Sequence, residues 1–145
     1  MKCVTIILII VVPLARCLHL SDHIVQVWIN TTKDYNNECI PDAHDDPINI
    51  RNMFHILDIQ YLRSTECYFR CIYEKLNYLF PNGTFNQELI VSDLDYYSLE
   101  LGKKCEEEAA VSNDLCKKAF ILAHCVMYNL DSDHQRNKST SGKLI

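Results

Sequence analysis

Asp114-Leu-Cys-Lys-Lys-Ala-Phe-Ile-Leu-Ala-His-Cys-Val-Met-Tyr-Asn-Leu130 is the stretch that decides the fold. Asn113 or Asp114 can cap it, and the helix it predicts runs from Leu115 to about Leu130. Phe120, Ile121, Leu122, Val126 and Met127 put apolar groups on nearly every side. A helix apolar all round is a central one. Cys116 and Cys125 are nine residues apart on it, so at ~100° per residue their thiols point in opposite directions. They cannot bond to each other while the helix is intact, and so would staple it from both sides.

A second stretch, Cys67-Tyr-Phe-Arg-Cys71, repeats the theme. Its cysteines are four apart and face the same way on a helix, so they reach different partners most naturally. Ser64 is the candidate cap of this helix. Phe69, Ile72, Leu76 and Leu79 mark its buried face, and Glu66 with Arg70 forms an i,i+4 pair on its surface. Pro81-Asn82-Gly83 ends it in a turn.

The remaining chain also reads as helix. Ser21 can cap a first helix with Ile24, Trp28 and Tyr35 on one side, although Val25, Val27, Ile29, Thr31 and Thr32 leave a strand open there. Asp46-Pro47 is a cap followed by proline at the first helical position. Ile50, Phe54 and Leu57 then form an apolar stripe. Asn86 caps a segment with Ile90, Leu94, Tyr97 and Leu101. Gly102 punctuates it, and Lys103 to Val111 is a short helix of its own. Residues 131–145 turn polar and read as a flexible tail.

The chain has 145 residues and eight cysteines, with only three glycines. Its length suits one domain. The low glycine count argues against a turn-rich β protein, and the net charge of −5 argues against nucleic-acid binding. The eight cysteines indicate an oxidising compartment. Residues 1–17 resemble a signal peptide: Lys2, an apolar run from Val4 to Leu14, then Ala15-Arg16-Cys17 with small residues at its first and third positions. Arg16 sits where a lipoprotein anchor needs a small residue. Cleavage after Cys17 leaves six cysteines, with 12 basic against 19 acidic residues. No second run is long enough to span a membrane. The sequons at Asn30, Asn82 and Asn137 agree with secretion of a glycoprotein.

Six cysteines allow 15 pairings. Excluding Cys67–Cys71 and Cys116–Cys125 leaves 10, and the geometry of the sequence goes no further. Zinc ligation by Cys-x₃-Cys with scattered histidines is disfavoured by the secretory route. The six histidines show no ligand spacing, and Asp42 to Asp46 lacks the glycine and closing glutamate of a calcium loop. There is no phosphate loop and no Gly-x-Ser-x-Gly nucleophile. An enzyme is therefore not expected, and neither a metal nor any other cofactor.

The spacing Cys39-x₂₇-Cys67-x₃-Cys71-x₃₃-Cys105-x₁₀-Cys116-x₈-Cys125 resembles that of the insect odorant-binding proteins, of the pheromone- and general-odorant-binding type. The likeness covers about Ser21 to Leu130 and rests chiefly on the x₃ and x₈ gaps. It implies an all-α bundle of about six helices around an apolar cavity, occupying residues 18–130. It implies the interlocked disulfides Cys39–Cys71, Cys67–Cys116 and Cys105–Cys125. It further implies a secreted carrier for the transport of small hydrophobic ligands in olfaction. The partners expected on that basis are a small apolar ligand and an odorant receptor, and the chain a monomer or weak homodimer.

The pocket candidates are Phe54, Leu57, Tyr61, Phe69, Leu76, Leu79, Tyr97, Phe120, His124 and Met127. The rival reading is a secreted interaction protein on the same scaffold, salivary, from venom or from haemolymph, that binds a peptide, amine or receptor. Eight tyrosines would suit a polar or aromatic ligand there. His124, inside the central helix, is the candidate acid sensor, with His55 as its rival.

Overall fold

Asp114 caps the last helix as expected, its carboxylate accepting from Lys117 N, and the helix runs Leu115–Leu130. In this computed structural model, which describes residues 18–131, the chain forms seven helices. They are α1 (Asp22–Thr32), α2 (Asn36–Asp42), α3 (Pro47–His55), α4 (Arg63–Lys75), α5 (Gln87–Asp93), α6 (Leu99–Ala109) and α7 (Leu115–Leu130). No strand occurs among the described residues, only one antiparallel bridge between Leu79 and Phe85. The signal-peptide reading, Asn137 and nearly all of the expected tail lie outside the described residues.

Helix α7 is central. It packs most extensively on α4 and next on α6. Ala119 and Ala123, four apart and fully buried, give it a small-residue face for close approach. Its two cysteines leave from opposite sides. Cys116 bonds Cys67 of α4, and Cys125 bonds Cys105 of α6. The third bridge, Cys39–Cys71, ties α2 to α4. All three pairings are those the resemblance implies. Each constrains the unfolded chain, contributing about 3–4 kcal/mol in the chain-entropy picture.

Several local expectations change. The region with the β-branched run is helical: Ser21 caps α1, and Thr31 and Thr32 turn their hydroxyls back onto Val27 O and Trp28 O. Tyr35 lies beyond α1, and an unforeseen helix, α2, follows it with Pro41 inside. Helix α4 starts one residue before Ser64, at Arg63, with no side-chain cap. Tertiary contacts fix that end instead: Arg63 makes a two-pronged ion pair with Asp114 at 2.8 Å and a bond to Glu66 at 3.1 Å. Arg70 therefore pairs with Glu74, not with Glu66.

The segment read as one helix from Asn86 breaks after Asp93, and Ser98 restarts the chain as α6. Gly102 lies inside α6 rather than ending a helix. A side chain there would meet Gln87 Oε1 at 2.2 Å and the Tyr97 hydroxyl at 2.7 Å. The glycine is thus a site of close approach, where the Tyr97 hydroxyl donates to Gln87 and Gln87 donates to Glu106.

Candidate functional site

The three disulfides join α2, α4, α6 and α7; of the three helices without a cysteine, α5 packs on α6, and the other two are α1 and α3. These two helices pack chiefly on each other. A pocket lies between them and the stapled core. Leu20, Val25 and Trp28 come from α1 and the residues before it, and Met53, Phe54 and Leu57 from α3 and its end. Phe69 of α4 and Met127 of α7 supply the core side. Every lining side chain is apolar or aromatic, so the pocket favours apolar contents. It is narrow, with a cavity volume of about 10 Å³. That is room for about one water molecule.

The pocket rim carries backbone strain. Leu57 adopts a left-handed conformation, φ 55°. For a residue with a Cβ this costs roughly 1–2 kcal/mol. The conformation ends α3, with Ile56 N and Asp58 N both donating to Asn52 O at 2.9 and 3.3 Å.

An aromatic run continues from the pocket through Phe69. Phe69 meets Phe120 edge-on at 5.8 Å, and Phe120 stacks on His124 at 6.0 Å. Tyr61, in the connection 56–62, covers both Phe120 and His124 at 5.5 Å. Its hydroxyl lies 2.7 Å from His124 Nε2, although Tyr61 as a whole is 71% exposed. Burial lowers the His124 pKa below the ordinary imidazole value, and Glu108 opposes this.

Of the ten residues singled out from the sequence, the structure brings Phe54, Leu57, Phe69 and Met127 into the pocket wall. Tyr61, Phe120 and His124 form the adjoining aromatic run. Leu76, Leu79 and Tyr97 stand elsewhere: Leu76 ends α4, Leu79 pairs with Phe85, and Tyr97 bonds Gln87. Sequence reasoning missed Leu20, Val25, Trp28 and Met53. The Ile24–Trp28 stripe of α1 was the available signal. His55 is exposed at the end of α3, away from the pocket lining. Among the described residues no group of His, Cys, Asp and Glu could hold a metal ion. No helix among them is long and apolar enough to cross a membrane.

No curated protein sequence matches the chain. Among solved structures, the fold is similar to that of odorant binding protein 4 from the natural predator Chrysopa pallens. The TM-score is 0.51 at 23% identity, over 80% of this chain and 97% of that one. Residues 25–129 match the model of the PBP/GOBP family. That match covers all seven helices but the first three residues of α1 and the last of α7, with the three bridges that staple them, and the chain belongs to the PBP/GOBP family.

Proposed function

We propose that this chain is a secreted carrier that takes small hydrophobic molecules into the pocket between α1, α3 and the stapled core. Family and fold are those of carriers rather than enzymes. The observation that carries the reading is a wholly apolar pocket on the border between stapled and unstapled helices. A ligand of about 15 heavy atoms at ~0.5 kcal/mol each gains ~7 kcal/mol, which is micromolar affinity. Such a ligand needs more room than one water, so the α1–α3 wall must yield. None of the three disulfides lies in that wall. The test is displacement of a fluorescent apolar probe by panels of odorants, lipids, peptides and amines. Micromolar displacement by apolar molecules is the expected result. Displacement by amines or peptides alone would favour the interaction-protein reading. Amide exchange should be faster in α1 and α3 than in α4, α6 and α7, and should slow in α1 and α3 when ligand is added.

Acid is expected to weaken binding through His124. Its pKa is lowered, so the neutral ring persists to a pH below the ordinary value of about 6.5. Below that, protonation puts a charge into the aromatic run and makes both ring nitrogens donors, so the Tyr61 hydroxyl can only accept from Nε2. The unfolded chain takes the proton first, so stability also declines as pH falls through this window. Probe affinity measured between about pH 7.5 and pH 5 should fall for the wild type and for His55→Gln, and stay level for His124→Gln. A drop of equal steepness in His124→Gln would remove His124 from the account.

Secretion would expose the sequons to glycosylation. Asn82 lies exposed in its turn, its Oδ1 accepting from Thr84 N and Oγ1. Asn30 lies on α1, where the third sequon residue, Thr32, is buried with its hydroxyl on Trp28 O. Mass spectrometry of insect-cell material should find Asn82 more fully occupied than Asn30.

A further inference from the structure

Leu18, His19 and Leu20 run ahead of α1, and Asp131 follows the last residue of α7. The two ends meet: His19 N donates to Asp131 Oδ1 at 3.2 Å. Asp131 is only 6% exposed. It is the C-cap of a 16-residue helix, at the negative pole of the helix dipole, and the last turn of that helix holds no basic residue. A carboxylate buried at that pole calls for a cation beside it, and an amide N–H does not supply one. Leu18 is partly buried, and its nitrogen is the backbone nitrogen next before His19 N, less than about 4 Å from it. In a chain that continues through Cys17 this nitrogen belongs to a neutral amide. In a chain that begins at Leu18 it is an α-ammonium, largely charged at neutral pH. The same arm bears on the pocket. Leu20 lines it, as does Met127, one turn before Asp131.

We propose that removal of the signal peptide completes the pocket: the α-ammonium set free on Leu18 pairs with Asp131 and straps residues 18–20 across the α7 end of the pocket. This deepens the secreted-carrier reading and rests on it, with cleavage after Cys17. Hydrolysis of the Cys17–Leu18 peptide bond puts the hydroxyl of water on the Cys17 carbonyl carbon and its proton on the Leu18 nitrogen. At neutral pH the new carboxyl then gives up a proton and the new amine takes one up. A carboxylate has lone pairs for several donors, so the ammonium adds to the bond from His19 N rather than replacing it. Leu20 is two residues from the new charge. The pair therefore fixes the pocket wall at the start of α1, a helix that carries no disulfide. In the precursor the same nitrogen is neutral and brings no charge to the carboxylate, so the wall is looser.

The experiment compares the chain beginning at Leu18 with one carrying Gly-Ser ahead of Leu18, each as wild type and as Asp131→Asn, near neutral pH. The extension moves the ammonium about 7 Å along the chain and makes the Leu18 nitrogen an amide again. Asparagine keeps an acceptor for His19 N but no charge. The extension should lower the melting temperature by about 3–6 °C. Asp131→Asn should lower it by a similar amount in the chain beginning at Leu18. In the extended chain the same substitution should leave it level or raise it, because it removes a buried charge that the ammonium no longer meets. A fluorescent apolar probe should bind the extended chain about threefold more weakly, since the strapped wall is less populated. Mass spectrometry of protein secreted from insect cells should find Leu18 as the first residue. Equal melting temperatures with and without the extension, an equal Asp131→Asn loss in both chains, or a different first residue would each overturn the strap while leaving the carrier standing. Failure of the probe to bind either chain would bring down both.

Discussion

Replacing Cys67 and Cys116 together by alanine is expected to lower stability by about 4 kcal/mol, more than removal of either other bridge. This disulfide closes the longest loop, 49 residues, against 32 for Cys39–Cys71 and 20 for Cys105–Cys125. In the chain-entropy picture the unfolded state gains most freedom when the longest loop opens, and the 20-residue loop is worth about 3 kcal/mol. The bridge also joins the starts of α4 and α7, beside the ion pair of Arg63 with Asp114. That pair holds the Asp114 carboxyl down at about 2, first through Arg63 and then through Lys117 N. Asp114 therefore stays ionised in mild acid and cannot explain a loss of binding there. Denaturant midpoints of the three double variants should rank in order of loop length. If removal of Cys105–Cys125 costs most, local packing around α6 and α7 outweighs chain entropy.

The parts of this fold legible in the sequence are those set by local chemistry. Asp114, Asp46-Pro47, Ser21 and Asn86 each cap the helix they were read to cap, because a carboxylate, hydroxyl or amide satisfies an orphan N–H within its own turn. The opposed directions of Cys116 and Cys125 follow from helical periodicity alone. What the sequence hid was set by distant neighbours. Arg63 starts α4 because Asp114, 51 residues on, receives it. Gly102 reads as punctuation, but it is helical because Gln87 and Tyr97 press against its bare Cα. The site follows the same rule. Phe69 and Met127 lie on the stripes of the two strongest helices and were legible. Trp28 and Val25 belong to a helix whose β-branched run left a strand open. Leu57 reaches the pocket through a left-handed turn that no local pattern announces for a leucine.

Phe69→Ala is expected to separate pocket from core. Phe69 is 2% exposed and meets Trp28, Tyr68, Tyr73 and Phe120 within 6.4 Å. Truncating such a ring costs about 3–5 kcal/mol, because the transferred surface is lost and the surrounding rings cannot fully collapse. The space it leaves adjoins the pocket, between Trp28 and Met127. The variant should therefore lose thermal stability but accept bulkier ligands, and saturating ligand should raise its melting temperature more than that of the wild type. Leu79→Ala is the matched control. Leu79 is also 2% exposed, but it packs beside Phe85, away from the pocket lining. It should cost about 2–5 kcal/mol and leave the choice of ligand unchanged. A shift in ligand preference of the same size in both variants would mean that looseness of the core, rather than the wall formed by Phe69, decides what the protein carries.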